Sequence, residues 1–265
     1  MHGLGNDFIV IENTNGRISL SKEQIIFLCD RYKGVGADGV ILVESSDIAD
    51  CFMNYYNADG SIAEMCGNGV RCVAKFLKDE IFPKPEPKTS FKIDTRAGIK
   101  YVEYMDDGNF SVNMGQPVFS SADFPEENLN TEGMDLHFVS MGNPHAIAFV
   151  ENLNDYDILS LGPRIEEDSH FPNKINFHLV EEKNSAHADG KKEFKVTTWE
   201  RGCGVTLACG TGACAIYAIA RKHKNSSKEL TISLKGGDLF MSENEDGDII
   251  MCGPAVSVFS SMIYV

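Results

Sequence analysis

The sequence predicts a duplicated protein of mixed helix and strand, two homologous domains in tandem, and three observations carry that prediction. Residues 91–115, FKIDTRAGIKYVEYMDDGNFSVNMG, and 230–253, LTISLKGGDLFMSENEDGDIIMCG, both read strand, Gly turn, strand, Asp-Gly turn, strand. Gly98 falls against Gly237 and Asp107-Gly108 against Asp246-Gly247 at one constant offset. Upstream, Cys66-Gly67-Asn68-Gly69 matches Cys209-Gly210-Thr211-Gly212, each ahead of an apolar run, and further upstream Gly5-Asn6 matches Gly142-Asn143. Each half therefore runs Gly-Asn, Cys-Gly-x-Gly opening a helix, then a β-meander. The expected boundaries are 1–115, rejoined by about 254–265, for the first domain and 116–253 for the second.

In chain order, a helix is expected from Ser21, where Ser-Lys-Glu-Gln puts Gln24 in capping-box position before Ile25, Ile26 and Leu28. Val70, Val73 and Leu77 fall on one face of the helix after the first Cys-Gly-x-Gly turn; Ala213, Ile216, Tyr217 and Ala220 do so after the second. Pro83-Lys84-Pro85-Glu86-Pro87-Lys88 cannot continue a helix and reads as an exposed connector. The Asp-Gly pairs are hairpin signals, because their residues tolerate positive φ. The acidic, Asn-rich stretches around 120–135 and 181–192 read as loops.

Composition narrows the partners. A net charge of -15 disfavours nucleic-acid phosphates and anionic membranes and leaves a small solute as the expected ligand. No run approaches the ~18 apolar residues of a membrane span, and MHGLGNDFIVI lacks the pattern of a secretion signal, so a cytoplasmic protein is expected. In that compartment the eight cysteines should be reduced, buried or catalytic rather than disulfide-bonded. Cys29, Cys51, Cys72, Cys214 and Cys252 read as buried packing. A zinc site is disfavoured because Cys66, Cys72, Cys203, Cys209 and Cys214 lack the spacing of ribbon or finger pairs.

Chemistry concentrates at Cys66 and Cys209. A cysteine at a helix start lies beside unpaired N–H groups and the positive end of the dipole, which is expected to lower its pKa. The glycines let a ligand approach the backbone, and the N–H groups at the helix end suit a carboxylate. Two such turns fit inversion of a stereocentre, in which one face of Cα loses a proton and the other gains one. Nine residues before each cysteine stand Asn57 and Glu200. With Asn6, Asn143, Asn176 and Arg201 they offer acceptors for ammonium groups and donors for carboxylates.

HGLGNDF at 2–8, NADGSIAEMCGNGVRC at 57–72, SMGNPH at 140–145 and ERGCGVTLACGTGAC at 200–214 resemble the diaminopimelate epimerase family, in order and over most of the chain. The resemblance implies an α+β fold of two pseudo-symmetric domains, each a curled antiparallel sheet or barrel around a central helix, with the last dozen residues returning to the first domain. It implies interconversion of L,L- and meso-2,6-diaminoheptanedioate on the way to lysine and peptidoglycan precursors, with no cofactor and no metal, in a homodimer. Carried over residue by residue, Cys66 and Cys209 match the catalytic pair; Gly67, Asn68, Gly210 and Thr211 match the turns that hold the reacting carboxylate. Asn6, Asn57, Asn143, Asn176, Glu200 and Arg201 match substrate contacts, Arg201 for the distal carboxylate, and His145 and Glu200 match residues that tune the cysteines. Gly39 stands where some members carry a substrate-contacting Gln, Val205 where Glu is common, and the chain begins at its first motif. Competing readings are a proline racemase or hydroxyproline epimerase on the same fold, which would leave Arg201 unpaired, and a binding module, which needs no paired thiols. Phenazine-type isomerases lack the two cysteines.

Overall fold

The computed structural model describes residues 1–82, 88–183, 192–224 and 226–264. The Pro83–Pro87 connector and most of the 181–192 loop expectation lie outside the described residues. The chain divides into two compact units, Met1–Asn113 with Cys252–Val265, and Met114–Met251.

The first unit contains β1 (His2–Gly3), β2 (Asn6–Asn13), α1 (Lys22–Cys29), β3 (Gly39–Glu44), β4 (Cys51–Asn57), α2 (Gly67–Phe76), β5 (Ser90–Asp94), β6 (Lys100–Tyr104) and β7 (Phe110–Gly115). Its strands lie side by side in chain order, β1 to β7. The second contains β8 (Leu129–Thr131), β9 (Met134–Ser140), β10 (Pro144–Val150), α3 (Ile158–Glu166), β11 (Asn176–Glu182), β12 (Lys192–Glu200), β13 (Gly204–Val205), α4 (Gly210–His223), β14 (Leu230–Leu234), β15 (Gly237–Glu243) and β16 (Ile249–Gly253). Its order is β8-β9-β10-β11-β12-β14-β15-β16, with β13 paired to β12.

The duplication read from the sequence is visible strand by strand. Two junctions in each unit are parallel: β2/β3 and β4/β5 in the first, β10/β11 and β12/β14 in the second. The reason is connectivity. A parallel neighbour requires a crossover, and α1, α2, α3 and α4 are the four crossovers. The meanders fold as read, and their Asp-Gly turns place Gly108 at φ 88° and Gly247 at φ 83°.

Each unit buries one helix. α2 packs on β1 and β2 and also on β5 and β6, strands from opposite ends of the order, so the sheet curls around it. α4 does the same with β9, β10, β11, β14 and β15. Val70, Val73 and Leu77 are fully buried, as are Ala213, Ile216, Tyr217 and Ala220. The Ser21 capping box forms in full, with Ser21 accepting from the Gln24 N–H and Gln24 accepting from the Ser21 N–H. α1 covers the outer face of β3: Ile25 and Leu28 join Val40 and Leu42 in one cluster. β3 is therefore buried on both faces, which explains its continuous apolar run, GVILVE. α3 covers β11 in the same way, Ile158, Leu161 and Ile165 packing with Phe177 and Leu179.

Two features differ from the sequence reading. The 120–135 stretch is not all loop: β8 and the start of β9 lie within it, held by pairs such as Leu129 with Leu136. α3 was not foreseen, because Gly162 and Pro163 interrupt its periodic face; Pro163 sits inside the helix, and Asp157 caps it by accepting from the Leu159 N–H.

Candidate active site

At the first turn the chain leaves extended backbone at Cys66, the residue that caps α2. Its Sγ lies 3.4 Å from Asn6 Oδ1 and donates to it. The same oxygen accepts from Asn68 Nδ2 at 3.2 Å, and Asn68 Oδ1 accepts from Arg71 Nη2 at 2.8 Å. Arg71, 0% exposed, also donates to the carbonyls of Gly67 and Pro254. A buried guanidinium one turn into the helix thus fixes the Asn68 amide and ties the Cys66 turn to the returning C-terminal segment. On the other side, Asn6 Nδ2 donates to Asp38 at 2.7 Å, and Asp38 and Asp7 share Arg31. Asp38 thereby orients the Asn6 amide with its oxygen toward the thiol.

Asn57 ends β4 opposite Gly39 and donates to Ser61 across a tight turn. Gly39 has no room for a side chain: a Cβ there would lie 2.5 Å from the Tyr56 carbonyl and 2.6 Å from the Tyr55 ring. The Tyr56 carbonyl and the Tyr55 ring together close over that position.

At the second turn Cys209 caps α4, and its Sγ accepts from the Gly212 N–H at 3.3 Å, with Thr211 Oγ1 at 3.6 Å. The thiol is 4% exposed. The expectation that a helix start lowers the pKa is overturned here. Burial pushes the Cys209 thiol well above its ordinary value and the negative charge of Glu200 adds to the rise, against smaller opposing effects of Thr211 and Gly212. Complete loss of water outweighs a partial charge at a helix end. Burial also pushes Cys51 and Cys72 up to about 12, in keeping with inert packing.

Glu200 and Arg201 occupy the hairpin between β12 and β13, in which Glu200 pairs with Gly204. Glu200 accepts from Thr206 Oγ1 at 2.6 Å. The Arg201 side chain is exposed and donates to the Asn173 carbonyl at 2.7 Å, while its N–H meets Asn176 Oδ1. Asn176, buried, spans this hairpin and β10 by also donating to the Pro144 carbonyl. Glu166, which sequence reasoning missed, accepts from Trp199 Nε1 and the Gly202 N–H and so clamps the hairpin from α3. Burial opposes its charge, yet those bonds and Lys174 hold the carboxyl below its ordinary pKa. Val205 pairs with Trp199 and packs against the α3 cluster, a structural place.

His145 lies beneath this hairpin, opposite Asn176 in the β10/β11 register. Its Nε2 meets Asn143 Oδ1 at 3.0 Å and its Nδ1 meets His178 Nε2 at 2.9 Å. His178 Nδ1 in turn meets Thr198 Oγ1 at 3.0 Å. Both imidazoles are 0% exposed. Burial depresses both, His145 well below its ordinary value and His178 to about 3, so both are neutral. His178 was also missed. It lies two residues after Asn176 on the same face of β11, the alternation that points it at α4.

Within the first unit the structure brings together Asn6, Cys66, Gly67 and Asn68, with Asn57 at the end of β4. Within the second, Asn143, His145, Asn176, Glu200, Arg201, Cys209, Gly210 and Thr211 occupy neighbouring strand ends and the α4 start. Among the described residues no group of three or more His, Cys, Asp and Glu is gathered as for a metal ion, and no helix is long and apolar enough to cross a membrane.

Comparison with known proteins places these features. Among solved structures, a phenazine biosynthesis protein of the PhzF family from Bacillus anthracis superposes with a TM-score of 0.70 at 19% identity, over 99% of this chain and 95% of that one. A hydroxyproline epimerase from Agrobacterium vitis gives 0.62 at 17%, over 96% and 86%. At such identities the likeness shows the duplicated α+β fold. In sequence, a diaminopimelate epimerase of Methanococcus maripaludis is 40% identical over 279 residues, 99% of this chain and 98% of that protein. The family model described as diaminopimelate epimerase matches residues 1–120 and 137–258, and the chain belongs to the diaminopimelate epimerase family.

Proposed function

We propose that this protein is an isomerase that interconverts L,L- and meso-2,6-diaminoheptanedioate by removing and returning a proton at one α-carbon, with Cys66 and Cys209 as the acid/base pair. The observation that carries the reading is the duplication of a cysteine at the cap of a buried helix, in a member of this family. One sulfur, as thiolate, takes the α-proton; the electron pair left on Cα spreads into the adjacent carboxylate; the other sulfur, as thiol, delivers its proton to the opposite face. The pair ends with roles exchanged, so the reverse reaction uses the same atoms. The N–H groups of Gly67, Asn68, Gly210 and Thr211 are the donors for the carboxylate as its charge grows. Asn6, Asn57, Asn143, Asn176, Glu200 and Arg201 hold the remaining ammonium and carboxylate groups. Arg201 retains guanidinium donors beyond the one given to Asn173.

In the free protein both sulfurs rest as thiols: Cys66 donates to Asn6, and burial with Glu200 outweighs the Gly212 N–H at Cys209, so one thiol gives up its proton only as substrate enters. Glu200 and His145 act as tuning groups. Neither metal nor pyridoxal phosphate takes part, and the enzyme works as a cytoplasmic homodimer in lysine and peptidoglycan precursor synthesis.

The test is turnover by the reduced protein of L,L-diaminoheptanedioate, L-proline and trans-4-hydroxy-L-proline, with chiral separation of products. Formation of the meso compound alone supports the reading. Turnover of either imino acid with none of the diamino acid would move the protein to the imino-acid class.

A further inference from the structure

The buried run Asn143, His145, His178, Thr198 is a hydrogen-bond chain with a direction. Each neutral imidazole has one N–H and one bare nitrogen. Asn143 Oδ1 can only accept, so His145 Nε2 carries the hydrogen and His145 Nδ1 is bare. His178 Nε2 must then donate to it, His178 Nδ1 is bare, and the Thr198 hydroxyl donates to that atom. One alternative is self-consistent: with the Asn143 amide turned over, every bond in the chain reverses. The orientation of Asn143 and the tautomers of both histidines are therefore a single choice.

That choice decides what Asn143 presents elsewhere. With its oxygen committed to His145, the amide keeps its N–H donors for other partners; in the reversed chain it would offer an oxygen. Resting on the functional reading above, in which Asn143 is a substrate contact, we propose that His178 is a positioning residue that holds Asn143 as a donor and so makes the site selective for a carboxylate there. The geometry that enforces this is local. His178 is pressed between β12, where it pairs with Thr198, and the α4 start, where Gly212 leaves space for its Cε1 and Nε2. It cannot swing away to take another partner.

The test is nitrogen-15 NMR of the full-length histidine-labelled protein, with wild type, His178→Phe, His178→Gln and Thr198→Val, beside steady-state kinetics. In wild type both rings should carry hydrogen on Nε2 alone. His178→Phe removes the donor to His145 Nδ1 and should release His145 into mixed tautomers while raising KM about 10-fold or more with a smaller change in kcat. His178→Gln, whose amide can donate to the same atom, should restore the single tautomer and most of the affinity. Thr198→Val leaves a bare Nδ1 unpaired, which is cheaper than an orphaned N–H, and should keep the wild-type tautomers; where the Phe variant does not fold, a changed tautomer in Thr198→Val would overturn the proposal. Hydrogen on His145 Nδ1 in wild type would overturn the proposal, as would a KM unchanged in His178→Phe. A wild type with these tautomers but no turnover of diaminoheptanedioate would overturn the functional reading and leave the chain's direction standing.

Discussion

Gly69 and Gly212 occupy the same place in the two duplicated turns, yet adding one methyl group to each should give unequal results. At Gly212 a Cβ would lie 2.4 Å from His178 Cε1, 2.9 Å from His178 Nε2 and 3.1 Å from Cys209 Sγ. His178 is fully buried and held at both ring nitrogens, so it has nowhere to go. Overpacking of this kind costs roughly 1–3 kcal/mol. Breaking the bond between the two imidazoles leaves buried polar atoms unmatched at roughly another 1–3 kcal/mol. The helix preference for Ala over Gly offsets about 1 kcal/mol, so a net loss of about 1–5 kcal/mol, centred on ~3 kcal/mol, is expected. At Gly69 the nearest atoms are Met53 Cε at 2.8 Å and Ile41 Cδ1 at 3.1 Å, ends of side chains that can shift. Gly69→Ala should change stability by less than about 1 kcal/mol. Urea unfolding followed by circular dichroism reads both; a slope of about 2–3 kcal/mol/M turns the Gly212→Ala loss into a midpoint drop near 1 M. Because the clash is with His178, adding His178→Ala should recover much of it, a coupling of at least about 1 kcal/mol. Equal midpoints for the two alanine variants, or strict additivity with His178→Ala, would refute the reasoning.

Three further outcomes follow from the same interior. His145 and His178 are neutral when folded, with pKa values below the ~6.5 of an unfolded histidine. Only the unfolded chain therefore binds these two protons below that pH, and stability falls on acidification. His178, with a folded value of about 3, contributes about 1.4 kcal/mol per pH unit between pH 6 and 4, His145 acts in the same direction, and His178→Phe should make the urea midpoint less pH-dependent by the His178 share. In a Cys203→Ser background, which removes the exposed thiol, Cys209 should react slowly with iodoacetamide at pH 7; Glu200→Gln, by removing a negative charge beside it, should speed alkylation several-fold and lower its titration midpoint. Arg71→Met should cost about 3 kcal/mol in urea unfolding, since it strips a buried donor from Gly67, Asn68 and Pro254 together, with Arg71→Lys in between.

What the sequence disclosed, and what it withheld, follows the range of the interactions involved. Meanders and caps are set within a few residues, so the Asp-Gly hairpins, the Ser21 box and the two helices after Cys66 and Cys209 were legible. The parallel junctions were not, because they depend on which face each crossover helix covers. α3 was hidden by Gly162 and Pro163, and β8 with the start of β9 by an acidic, Asn-rich composition that masks the alternation of Met134, Leu136 and Phe138. Every residue singled out for the site has a defined place, but the groups that hold them were silent. Asp38, Glu166 and His178 act through strands remote in sequence, and a lone histidine within Phe177–Val180 reads as core. The direction of the Cys209 shift failed for a related reason: a helix start can be seen in the sequence, whereas the depth of its burial depends on the whole sheet.

The most direct test of the two-thiol account is incubation of the reduced protein with L,L-diaminoheptanedioate in D2O, comparing wild type with Cys66→Ala and Cys209→Ala. The account predicts meso product bearing deuterium at the inverted α-carbon from wild type and no inversion from either variant. Undiminished meso formation by either alanine variant would contradict it.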